Sequence, residues 1–162
     1  MNTDYQIPVQ TRIGHVHLKV ADIERALAFY RDLLGFEVTM RYGGQAAFIS
    51  AGAYHHHIGL NTWNSHGMPP APERSVGLYH IASLYPTRKD LAMIYNHLRK
   101  ENYPLSGSGD HGVSEAIYLD DPDGNGVELY WDRPENEWPK NQDGTIDMFT
   151  KTLDLGSLLA EL

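Results

Sequence analysis

Ile13-Gly14-His15-Val16-His17-Leu18-Lys19-Val20 is the stretch on which the fold turns. Apolar and polar residues alternate along it, the period-2 pattern of a strand with one buried face. Asp22 follows as an N-cap, with Glu24 in the first turn where the helix dipole favours a carboxylate. Ile23, Ala26, Leu27, Tyr30 and Leu34 then repeat at helical spacing, and Gly35 is the C′ residue that closes the helix. Three strands are expected next, near 36–42, 45–50 and 54–62, with Gly43-Gly44 as a tight turn. The order is β-α-β-β-β.

The same order recurs after a Pro-rich linker at 64–76. Leu78 to Tyr85 reads as a strand. Thr87 caps a helix with Asp90 three positions on, and Leu91, Ile94, Tyr95 and Leu98 form its apolar stripe. Strands are expected near 104–107, 114–120 and 126–132, the last two joined by Asp121-Pro122-Asp123-Gly124-Asn125-Gly126. The chain therefore reads as α+β, two paired βαβββ modules at 12–63 and 77–132 forming a curved mixed sheet around a cleft. Residues 133–162 form a C-terminal arm, ending in a short helix capped by Asp154 with Leu155, Leu158, Leu159 and Leu162 as its apolar face. So short a helix must dock on its own domain or on a partner subunit. That stripe and the short edge strands predict a homodimer.

Composition narrows the function. Charged residues are 21% and the net charge is −8, which argues against a nucleic-acid surface. No apolar run is long enough for a membrane span, and Met1 to Gln6 does not read as a signal peptide. With no cysteines, disulfides and thiolate metal sites are excluded, and a cytoplasmic location is expected.

Strand parity separates core from cleft. Val16, Leu18 and Val20 share one face; His15, His17 and Lys19 share the other. By the same count His57, His80, Tyr118 and Glu128 each lie opposite the apolar residues of their own strands, whereas His56 falls with Ile58 and Leu60. Imidazoles and a carboxylate on one cleft suit Fe(II), Mn(II), Zn(II) or Ni(II). An antiparallel sheet with a solvated face would also carry such residues without any function.

Gly14-His15-Val16-His17-Leu18-Lys19-Val20-Ala21-Asp22, with Ala28-Phe29-Tyr30 and Leu34-Gly35-Phe36, resembles the opening module of the vicinal oxygen chelate superfamily. Asp121 to Leu129 resembles its closing turn and strand. The likeness spans roughly residues 12–133. It implies metal ligands at His15, His80 and Glu128. Tyr54-His55-His56-His57-Ile58-Gly59-Leu60 resembles the His-His strand of the extradiol dioxygenases of that superfamily, in which the second His sits over the substrate. Asp110 to Ser114, followed by Tyr118, resembles the segment in which a His and a Tyr contact it, although the spacing from His111 to Tyr118 is shorter here.

The resemblance thus implies an Fe(II)-dependent extradiol dioxygenase, with Mn(II) as the alternative ion, O2 as co-substrate and a small aromatic diol as substrate. His57, His111 and Tyr118 are its expected catalytic residues, with His57 handling protons. His17, Tyr130 and Trp63 are expected nearby. Two other readings stay open: a non-redox metal-dependent lyase, isomerase or thiol transferase, and a metal-free binding protein. The former would need a basic anion pocket, for which Lys19 and Arg41 form no cluster; the latter needs no set of ligands.

Overall fold

The computed structural model describes residues 4–162, which divide into two compact units between Met68 and Pro69, inside the Pro-rich stretch. The first unit contains β1 (Val16–Lys19), α1 (Ile23–Leu27), β2 (Glu37–Tyr42), β3 (Ala46–Ser50) and β4 (Ile58–Asn61). Its four strands run in the order β1-β4-β3-β2, parallel between β1 and β4 and antiparallel elsewhere. Leu18, Ala47, Ile49, Ile58 and Leu60 are buried with Ile23, Ala26 and Leu27 of the helix. Each large aliphatic side chain so buried stabilises the unit by about 1.5–3 kcal/mol.

Asp22 caps α1, its carboxylate accepting the Arg25 amide at 2.7 Å. The α-helix is shorter than the spacing predicts. From Ala28 to Leu33 the chain widens into a π-helical turn, and the Leu34 amide bonds the Phe29 carbonyl at 2.9 Å. The wider turn rotates Phe29 inward beside Tyr30, and both are buried, while Leu34 is left half-buried.

The second unit repeats the plan with β5 (His80–Leu84), α2 (Arg88–Lys100), β6 (Gly107–Asp110), β7 (Ser114–Asp120) and β8 (Gly126–Asp132), in the order β5-β8-β7-β6. Thr87 caps α2 through the Asp90 amide, and Leu91, Ile94, Tyr95 and Leu98 are buried as their spacing predicts. Strand boundaries differ from the sequence reading: β1 begins at Val16 instead of Ile13, β5 spans only His80–Leu84, and two others are displaced as follows. β4 starts at Ile58 instead of residue 54, after a run of bends in which Gly52 has φ +71°. β6 lies three residues beyond the expected 104–107, on Gly107-Ser108-Gly109-Asp110, a segment of low strand propensity that pairs through its backbone.

The C-terminal arm belongs to the second unit. Asp154 caps α3 (Leu155–Leu159), accepting the Ser157 amide at 2.9 Å, and Leu153 and Leu158 are buried. α3 packs on α2, and Arg88 ties the two together by donating to the Ser157 carbonyl and to Glu161. Among the described residues, no helix is long and apolar enough to cross a membrane.

Candidate functional site

On the second unit's sheet, Glu128 and Tyr118 are direct cross-strand partners, so their side chains rise from one face. His80 pairs with Gly126, two residues before Glu128 on the same strand. A Cβ at Gly126 would lie 3.1 Å from the His80 Cβ and 2.3 Å from the Tyr79 carbonyl oxygen, so only glycine lets β5 and β8 approach this closely. His80 Nε2 then sits 2.9 Å from Glu128 Oε2. The other carboxylate oxygen accepts the Tyr118 hydroxyl at 3.1 Å, and Tyr118 in turn meets His111 Nε2 at 2.6 Å. Four side chains named from the sequence thus form one line of polar contacts: His80, Glu128, Tyr118, His111.

The glycines of β6 form the floor of this line. Gly107 pairs with Tyr118, and a Cβ on Gly109 would stand 3.0 Å from the His111 ring. The weak strand is therefore weak for a reason: a side chain at Gly109 would crowd the His111 ring, while Tyr118 lies in ordinary contact over both glycines. Burial, the charge of Glu128 and the hydrogen bond to it push the Tyr118 phenol up to about 12, so it remains a proton donor at neutral pH. Tyr130 is raised by burial, by Asp132 and by Glu128.

Behind His111 lies a cluster of charged groups that periodicity did not reveal. Glu115 is buried and is held by Arg88 at 2.8 Å and by Arg133 at 2.8 Å. Arg133 also donates to Asp110 at 2.7 Å and to the Gly112 carbonyl at 3.1 Å, and so grips the turn that carries His111. Gly112 has φ +79° and no room for a Cβ, which would meet Phe149 and Pro139 at 2.8 Å.

In the first unit, His17, Gly59 and Phe48 lie side by side across β1, β4 and β3. The His17 ring folds over Gly59, and it meets Phe48 at 5.7 Å and Trp63 at 5.6 Å. His57 lies in the bend just before β4, with Nδ1 2.9 Å from the Ser50 hydroxyl and 3.3 Å from the Ala51 amide. The His56 ring, expected on the core side, lies 4.5 Å from His15 and 5.0 Å from Phe48, on the histidine-bearing side, because regular alternation begins only at Ile58. His15 also meets His55 at 6.5 Å. Burial, then the charge of His15, lowers the pKa of His17; burial and four neighbouring histidines, His15 foremost, lower that of His56.

Donor chemistry tests whether a metal fits. Among the described residues, no group of three or more His, Asp or Glu side chains is preassembled around one point. His80 and Glu128, however, present a nitrogen and an oxygen 2.9 Å apart. Two adjacent ligands with bonds of about 2.1 Å at right angles would stand roughly 3 Å apart. That spacing suits a divalent ion; with one bound, the Tyr118 hydroxyl would orient the Glu128 carboxylate from outside.

A family model described as the Glyoxalase/Bleomycin resistance protein/Dioxygenase superfamily matches residues 12–129. Catechol-2,3-dioxygenase of Bacillus subtilis (strain 168) is 40% identical over 152 residues, 93% of this chain and 52% of that protein. Biphenyl-2,3-diol 1,2-dioxygenase 3 of Rhodococcus globerulus is 32% identical over 124 residues, 76% of this chain and 65% of that protein. The chain thus spans about half to two-thirds of the length of these curated relatives. Among solved structures, a glyoxalase/dioxygenase from Nostoc punctiforme aligns with a TM-score of 0.66 at 16% identity, over 83% of this chain and 99% of that one. Lactoylglutathione lyase from Agrobacterium tumefaciens aligns at 0.58 and 22%, over 78% and 96%. At such identities the likeness is one of fold alone.

Proposed function

The chain belongs to the glyoxalase/bleomycin resistance protein/dioxygenase superfamily, and on that footing we propose that it cleaves a catechol-type ring beside its vicinal hydroxyls, using O2. The observation that carries this reading is the line His80–Glu128–Tyr118–His111. It joins two positions where the resemblance implies metal ligands to two where it implies substrate contacts. The same resemblance implies a ligand at His15. Fe(II) is the proposed ion, with Mn(II) as the alternative; when bound it brings diol and O2 to one centre, which a redox-inert ion such as zinc could not exploit.

The chain's own residues do the rest. Tyr118 keeps its proton at neutral pH; without substrate it donates that proton to Glu128, and a bound substrate oxygen would take the hydrogen bond in its place. His111 holds the Tyr118 hydroxyl from its far side at 2.6 Å. His57 is the proposed proton carrier, since an imidazole can both accept and donate a proton. Ser50 and Ala51 occupy its Nδ1, so exchange with a ligand runs through Nε2. Phe48 and Trp63, flanking His17, form an apolar wall suited to an aromatic ring. Both atoms of O2 enter the product, a 2-hydroxymuconic-semialdehyde type, so no outside reductant is needed. We further propose a cytoplasmic homodimer.

The test is direct. The protein is loaded with Fe(II) without oxygen and given catechol; oxygen is then admitted, and its uptake and the visible spectrum are recorded. A yellow product that requires iron, and that is lost in His57→Ala, is expected. Bound metal without oxygen uptake across several substituted catechols would overturn the reading.

A further inference from the structure

The Tyr118 hydroxyl has one proton. Its partner at 3.1 Å, the Glu128 carboxylate, can only accept, so the proton is directed there. The His111 Nε2, 2.6 Å from the same hydroxyl oxygen, must therefore be the donor in that contact. A neutral imidazole has one N–H, which leaves Nδ1 of His111 as a bare lone pair. Two groups face that lone pair. The Phe149 carbonyl, at 3.3 Å, can only accept; the Thr150 hydroxyl, at 3.2 Å, can donate.

We infer that Thr150, on the C-terminal arm, is a positioning residue that sets the tautomer of His111 with its proton on Nε2. Without the hydroxyl, the lone pair would face a carbonyl. The ring would then move its proton to Nδ1, donate to Phe149 and take the Tyr118 proton at Nε2, leaving Glu128 Oε1 without its partner. The tautomer choice thus decides whether Tyr118 points its proton toward or away from Glu128.

The arm is pinned for this task. Asp110 and Lys151 exchange both backbone hydrogen bonds, each at 2.9 Å, and the Phe149 amide donates to the His111 carbonyl at 3.3 Å. Thr150 therefore sits between two backbone-anchored residues, opposite a turn already gripped by Arg133. Only the catalytic consequence rests on the proposed dioxygenase reading; the tautomer itself does not.

The experiment is nitrogen-15 NMR of the full chain, using two-bond correlations of the imidazole protons at about pH 9, above the ordinary range of histidine. His111 signals are assigned by their loss in His111→Asn. The native protein should show the proton on Nε2, Thr150→Val should move it predominantly to Nδ1, and Thr150→Ser should restore it. With catechol, kcat of Thr150→Val should fall about tenfold with little change in KM. A proton on Nδ1 in the native protein, or one that stays on Nε2 in Thr150→Val, overturns the inference. If the tautomer moves as expected but the native protein cleaves no catechol, the dioxygenase reading fails and this inference stands.

Discussion

Arg133→Met removes one guanidinium and keeps most of the apolar stem, so the loss it causes belongs to the charge. Two carboxylates lose a partner. Glu115 is only 5% exposed and retains Arg88, so it is weakened without becoming an unpaired buried charge; the cost there is about 2 kcal/mol. Asp110 is more accessible and can regain water, which limits its share to about 1 kcal/mol. The total of about 3 kcal/mol corresponds to a fall in Tm of roughly 6–12 °C for a chain of this length. The assay is urea unfolding followed by tryptophan fluorescence in a Trp63→Phe background, so that the signal comes from Trp131 and Trp138 of the second unit. The effect should depend on pH. Burial works against the charge of Asp110, but the Arg133 hydrogen bond, the Gly112 amide and the charges of Arg133 and Lys151 outweigh it, holding the carboxyl below its ordinary 3.8. A lowered folded-state pKa stabilises fully above the unfolded value and is lost as pH falls through the folded one. The gap between Arg133→Met and the native protein should therefore narrow below about pH 4. A loss under about 1 kcal/mol at neutral pH, or a gap that widens in acid, would refute the reasoning.

Three other outcomes are expected. His80→Ala should abolish most Fe(II) binding, measured as metal content after dialysis, because it removes one of the two donors that stand 2.9 Å apart. In an alkaline titration followed at the tyrosinate absorbance, Tyr118→Phe should remove about half of the step near pH 12, which Tyr85 shares. Gly59→Ala places a Cβ 2.9 Å from the His17 ring, so it should shift the His17 ring resonances and cost about 1–3 kcal/mol while the fold persists; unchanged His17 signals would contradict the packing described.

The repeated βαβββ order was legible because it is written in local rules. Alternation at 13–20, the caps Asp22, Thr87 and Asp154, and the buried stripe of α2 all depend on neighbours within a few residues. Parity also put His80, Tyr118 and Glu128 on the polar face of their strands, since a strand's side-chain period is fixed by its backbone. Parity stopped at the strand's edge. It assigned His56 to the core side, but the chain bends before Ile58 and carries that ring to His15. β6 was misplaced because Gly107 and Gly109 look like turn residues until the rings of Tyr118 and His111 are seen above them.

What the sequence determined by itself was the class of fold, the two-module plan and, through the resemblance, the set of residues worth testing. Only the tertiary structure decided which partners those residues take. Arg133 meets Asp110 across 23 positions, and Thr150 meets His111 across 39. No local periodicity encodes such pairs. A hydrogen bond needs its donor and acceptor within a few tenths of an ångström and properly aligned, and that placement exists only once the arm has folded back onto the turn.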